Sequence, residues 1–125
     1  MKKIVYTSKA PEPVGPYSQA ILHNDTLYVS GQIAIDPDWQ KVIEGTIQEE
    51  THQVIKNISA ILEEADLSLD QVIKCSIFIK NMDDFDKINE VYKEYFNEVK
   101  PARETVEVSR LPKDVNIEIS CIAAR

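Results

Sequence analysis

The sequence predicts an α+β fold: a six-stranded mixed sheet with two helices on one face. Two amphipathic helical patterns stand apart in the chain, each followed by strand-like alternation. Six short β-prone stretches run in the order β-β-β-α-β-α-β-β. The strand between the helices is apolar on both faces, which two helices on one side cannot cover. At 125 residues the chain forms one domain spanning 1–125.

Each element has a local cause. Lys2 to Thr7 is a short β-prone stretch. Ala10-Pro11-Glu12-Pro13-Val14-Gly15-Pro16 is a loop, because three prolines and a glycine suit neither ladder nor helix. Ser18 to His23 and Thr26 to Ser30 read as strands joined by a tight turn at Asn24-Asp25. Ile35-Asp36-Pro37-Asp38 turns the chain away. Thr46 to Ala65 is a helix opened by the capping box Thr46-Ile47-Gln48-Glu49, with Ile47, Val54, Ile58, Ile61, Leu62 and Ala65 on one stripe. Asp66 then stands where a helix-ending glycine is common.

Gln71 to Lys80 is the two-sided strand, with Ile73, Cys75, Ile77 and Ile79 on one face and Val72, Ser76 and Phe78 on the other. Asp83 or Asp84 caps a second helix running to Phe96, with Phe85, Ile88, Tyr92 and Tyr95 on one side. Arg103 to Arg110 and Val115 to Ala123 are the last strands, linked through Leu111-Pro112-Lys113-Asp114. The uncovered face of the sheet predicts a second copy of the chain as its cover.

Composition narrows the partners. Fourteen basic residues against twenty-one acidic ones give a net charge of −7, and no basic run exceeds Lys2-Lys3, which disfavours nucleic acid and anionic membranes. No apolar run approaches the ~20 residues of a membrane span, and the start of the chain lacks signal-peptide character. A cytoplasmic location is the expectation. Cys75 and Cys121 lie in apolar strands and read as buried thiols; without C-x-x-C or a Cys/His cluster, neither zinc nor a redox pair is indicated. Trp39 reads as a loop aromatic, His23 abuts the Asn24-Asp25 turn, and His52 lies opposite the apolar stripe of its helix and reads as solvent-facing.

Two charged residues inside strands draw attention, Arg103 and Glu118. If the last two strands form a hairpin, pairing Val106 with Ile117 satisfies the alternation of both. Thr105 then lies opposite Glu118, and Arg103 lies on the same face roughly 7 Å along at ~3.4 Å per residue. That gap fits a small acid, gripped by the guanidinium fork and addressed at its other end by the carboxylate. A diagonal surface salt bridge fits the same spacing, and the pattern does not separate the two.

Motifs from end to end resemble the RidA/YjgF family, reactive-intermediate imine deaminases whose members also carry an endoribonuclease label. They are Gly15-Pro16-Tyr17-Ser18-Gln19, Val29-Ser30-Gly31-Gln32-Ile33, Phe78-Ile79-Lys80 with Phe85 and Asn89, Pro101-Ala102-Arg103, and the run from Val108 to Ile119. The resemblance implies a chorismate-mutase-like fold assembled as a homotrimer, with active sites in the clefts between subunits. It implies that Arg103 binds a substrate carboxylate, that Glu118 positions or activates water, and that Tyr17 reaches the pocket from its loop. Ser30 and Gly31 would line the pocket, Phe85 and Asn89 would complete its wall, and Thr105 would offer its backbone N–H. No metal or organic cofactor is implied.

The substrates implied are small imino acids such as 2-aminoacrylate, released when pyridoxal-phosphate dehydratases act on serine or threonine, with 2-oxo acids and ammonia as products. Many relatives carry cysteine where this chain has Thr105, and the Phe96 to Lys100 connection is shorter than in some. Two other readings stand beside the deaminase. One is an endoribonuclease or translation inhibitor, for which the chain offers neither convergent histidines nor a basic groove. The other is a non-catalytic module that binds 2-oxo acids.

Overall fold

A computed structural model describes all residues, 1–125. The strands are β1 (Lys2–Val5), β2 (Ala20–His23), β3 (Thr26–Gln32), β4 (Ile35–Asp36), β5 (Lys41–Val42), β6 (Val72–Ile79), β7 (Ala102–Glu107) and β8 (Ile117–Ala124). The helices are α1 (Ile47–Glu64) and α2 (Phe85–Phe96). Six strands form one sheet in the order β1-β2-β3-β8-β6-β7, antiparallel except for the β6–β7 pair; β4 and β5 form a separate small hairpin that the sequence reading missed.

Local signals explain most of the elements. The β2–β3 turn places Asn24 at φ 56, a conformation asparagine tolerates. The α1 capping box is complete: Glu49 N donates to Thr46 Oγ1 at 3.2 Å and Thr46 N to Glu49 Oε1 at 2.9 Å. Val54, Ile55, Ile58, Ile61 and Leu62 of α1 are buried against the sheet. The helix ends in a Schellman motif, Leu67 N donating to Leu62 O and Asp66 N to Glu63 O, with Asp66 in the left-handed region at φ 59. The α2 cap differs from expectation. Asp84 holds the N-cap position but its side chain makes no capping bond; Asn81 Oδ1 instead accepts from Asp83 N and opens a 3-10 turn, Met82–Asp84, that runs into the helix.

Within β6 the register shifts between Val72 and Lys74. This bulge turns Ile73 out to 52% exposure and brings Val72 into the core, so the expected Ile73 face begins at Cys75 instead.

The largest correction concerns the last two strands. They are not a hairpin. Residues 108–116 carry the chain across β6, through a 3-10 turn at Pro112–Asp114 with Lys113 and Asp114 at φ 55 and 56. β7 pairs parallel with β6, Arg103 opposite Cys75 and Thr105 opposite Ile77, while β8 lies between β3 and β6 with Glu118 opposite Phe78. Alternation alone could not reveal this, because any strand of matching parity satisfies it. Burial could: Ile117, Ile119, Cys121 and Ala123 demand a central strand, whereas Ala102–Glu107 buries none of its residues and suits an edge.

The sheet therefore has two unlike faces. α1 and α2 cover the first, which holds the main core. Across the second runs a register-matched row of Ile4, Ile21, Tyr28 and Ile122, with Phe78 and Val106 further along; Ile4, Tyr28 and Val106 are exposed.

Candidate functional site

The site residues fall into two groups on opposite faces. Paired residues share a face, so Arg103 lies with Cys75 on the helix face and Glu118 with Phe78 on the second. Three residues of rise and two strand spacings separate their Cα atoms by roughly 14 Å. One chain does not bring this guanidinium and this carboxylate together, and the hairpin geometry expected from sequence is overturned.

The first group is built around Glu118. Tyr17, Ser30, Gly31 and Glu118 line a cavity of about 380 Å³ whose walls include Pro11, Glu12 and Pro112. The Glu118 carboxylate packs over Gly31, where an added Cβ would lie 2.4 Å from Oε2 and 2.7 Å from Cδ. Gly31 also sits in the register shift between Val29 and Gln32, and the close approach of the carboxylate is what favours glycine there. Burial raises the Glu118 pKa above the ordinary carboxylate value. Ser30 Oγ donates to Ser18 O at 2.6 Å, and the half-exposed Tyr17 folds back so that Val14 N donates to its hydroxyl at 3.3 Å.

Three buried polar side chains hold these walls, and the sequence reading gave none of them a role. Gln19 accepts from Thr7 N and donates to the carbonyls of Thr7 and Pro11, knotting the proline-rich loop. Asn57 donates to Ile33 O and Ile35 O. Glu50 accepts from Asn116 N and Nδ2, two residues before Glu118. The available signal was polar residues at positions 50 and 57, within helical spacing of the apolar stripe of α1.

The second group is built around Arg103. Its Nη1 donates to Asn89 Oδ1 at 2.7 Å, and its guanidinium carbon lies 4.8 Å from the Tyr92 ring centre and 5.7 Å from that of Phe85. No carboxylate forms an ion pair with it. A cavity of about 340 Å³ opens beside it, lined also by Lys93, Asn97 and Lys100. A cation oriented by an amide and two rings, with no counter-ion, is prepared for an external anion. The Thr105 side chain lines neither cavity; its hydroxyl is buried without a partner on the helix side.

Other expectations resolve simply. Cys75 and Cys121 are buried free thiols. His52 keeps a side chain 38% exposed, and its Nδ1 also lies 2.7 Å from the Tyr95 hydroxyl of the second helix. His23 is exposed at the end of β2. No three His, Cys, Asp or Glu side chains converge as a metal-ligand set. No helix is long and apolar enough to cross a membrane.

Comparison with known proteins gives a consistent result. Residues 7–125 match the family model described as Endoribonuclease L-PSP. A RutC family protein of Pyrococcus abyssi is 56% identical over 122 residues, 98% of this chain and 96% of that one. Among solved structures, YyfA of Yersinia pestis, described as belonging to the conserved Rid protein family, superposes with a TM-score of 0.97 at 45% identity over the whole of both chains. Escherichia coli TdcF with bound serine superposes with a TM-score of 0.94 at 40% identity, covering 98% of each chain.

Proposed function

The chain belongs to the RidA/YjgF family, the Endoribonuclease L-PSP group that takes in the RutC and Rid proteins, and on that premise we propose that it hydrolyses small 2-imino acids to 2-oxo acids and ammonia. The observation that carries this reading is the unpaired Arg103 guanidinium, held by Asn89 over the Tyr92 ring. The substrate class has support from TdcF, whose bound serine presents a carboxylate beside a nitrogen-bearing carbon, as an imino acid does.

The working site is shared between copies. Arg103 and Glu118 lie on opposite faces, and the second face carries uncovered apolar side chains, so the geometry calls for another chain to bring one group to the other. A cyclic homotrimer provides three such junctions. In each, Arg103, Asn89 and Phe85 of one copy face Tyr17, Ser30, Gly31 and Glu118 of the next, and Thr105 contributes its backbone.

The chemistry follows from the groups. Arg103 binds the carboxylate through two charge-assisted bonds and fixes the imine carbon in place. Glu118 takes a proton from water as the oxygen adds to that carbon. Its raised pKa makes it a better base than an exposed glutamate. Glu118 returns that proton to the nitrogen, the hydroxyl proton of the adduct follows it, the C–N bond breaks, and ammonia leaves the 2-oxo acid behind. The Tyr17 and Ser30 hydroxyls line the pocket that receives the adduct.

The test is decay of freshly generated 2-iminopropanoate, with light scattering for assembly. Wild type should exceed buffer, and Arg103→Ala should fall to the buffer rate while remaining a trimer. A wild-type rate equal to buffer would leave only a binding role. Cleavage of labelled RNA at low salt, surviving Arg103→Ala, would favour the endoribonuclease reading instead.

A further inference from the structure

Cys121, Cys75 and Arg103 stand abreast on β8, β6 and β7, direct register neighbours on the helix face. Both thiols are free and buried. Directly opposed residues of antiparallel strands have Cα atoms roughly 4.5–5.5 Å apart, inside the roughly 4.4–6.8 Å that a disulfide spans. No C-x-x-C signals the pair in the sequence; the sheet topology makes it.

We propose that Cys75 and Cys121 are a dithiol pair that a small hydroperoxide closes to an intrachain disulfide, and that closure repositions Arg103. Cys75 is the attacking thiol. Burial holds its pKa above the ordinary thiol value and Glu104 adds to the rise, while the neighbouring Tyr92 hydroxyl and the Arg103 cation offset part of it. Cys121 has no such help: burial and the adjacent Cys75 both push its pKa up.

In the first step the Cys75 sulfur takes one oxygen of hydrogen peroxide, the O–O bond breaks, and one water leaves, giving a sulfenic acid. In the second, Cys121 sulfur attacks the Cys75 sulfur, the S–O bond breaks, and the hydroxyl departs as a second water with the Cys121 proton. Two thiols lose two electrons and two protons, and the peroxide is reduced to two waters.

The coupling to Arg103 runs through Tyr92. Its hydroxyl is buried without a well-formed bond and faces the Cys75 sulfur, while its ring lies under the guanidinium. Closure removes the Cys75 S–H and draws that sulfur toward β8, so the ring loses its contact and the guanidinium its platform. The importance of this for substrate rests on Arg103 being the carboxylate anchor; the disulfide does not.

The folded protein is treated with hydrogen peroxide, quenched and analysed by intact mass and by thiol titration in denaturant. The expected product is a chain lighter by two hydrogen atoms with no titratable thiol, restored by dithiothreitol and absent from Cys75→Ala. Two surviving thiols, or oxygen added without loss of the hydrogen pair, would overturn the pairing. The Arg103 Nε–H resonance should shift between reduced and oxidised wild type and stay in place in peroxide-treated Cys75→Ala; an unmoved resonance in the oxidised protein would overturn the coupling. Pyruvate affinity is measured on both forms. Failure to bind to either would count against the carboxylate role of Arg103 while leaving the mass and resonance results intact.

Discussion

Replacing Gly31 with alanine perturbs the Glu118 carboxylate while leaving the fold in place. The backbone of Gly31 is not in the left-handed region, so alanine is conformationally allowed. The new Cβ would stand 2.4 Å from Glu118 Oε2 and 2.7 Å from Cδ, and ordinary contact begins at 3.4 Å. The carboxylate end must therefore retreat by about 1 Å, which a flexible side chain does with little strain. A misplacement of about 1 Å costs on the order of 100-fold in rate, or about 2.7 kcal/mol in the barrier. Stability should change little, because alanine also lowers the entropy of the unfolded chain, an effect of about 0.4–1 kcal/mol in its favour. Imine-hydrolysis kinetics and a thermal melt on the same sample separate the two effects. A variant with the wild-type melt and the wild-type rate would refute the argument, since the position of the carboxylate over Gly31 would then be irrelevant to turnover.

Glu118→Gln should abolish hydrolysis yet melt higher than wild type at neutral pH. Burial raises the folded-state pKa of Glu118, so its contribution to stability is fully present below the ordinary value of 4.5 and is lost as pH rises through the raised value. The melting difference should vanish in acid, and the wild-type rate should climb with pH above 4.5 through the same group; equal melts at neutral pH would contradict the burial argument. Asp66→Gly should stabilise the chain by about 1 kcal/mol, raising Tm by a few degrees, because Asp66 holds the left-handed position of the α1 Schellman motif. A lower Tm would mean that the Asp66 side chain supplies something the backbone geometry does not reveal.

Much of the fold was legible because its signals are local. The Thr46–Glu49 box, the Asn24-Asp25 turn and the α1 stripe each act within a few residues, and each was found in place. The uncovered apolar face was legible in the two-sided β6. Strand adjacency was not. Alternation in Arg103 to Ala123 does not encode that the chain crosses β6; the contrast between the apolar Ile117–Ala123 run and the polar Ala102–Glu107 stretch was the signal, and it names a central and an edge strand without naming their partners. The site suffered the same limit. Its residue types were readable from motifs, but the placement of Arg103 on one face and Glu118 on the other depends on that crossing. Gln19, Glu50 and Asn57 escaped notice because a buried polar residue in sequence looks like an exposed one.

The division of the site between copies is tested most directly by subunit mixing. Arg103→Ala and Glu118→Gln chains, each inactive alone, are denatured together in equal amounts and refolded. If each site draws its guanidinium from one copy and its carboxylate from the next, random assembly restores both groups at about a quarter of the junctions, and imine hydrolysis should return to about a quarter of the wild-type rate. Mixed assemblies, confirmed by native mass, that stay as inactive as either parent would contradict a site built from two copies.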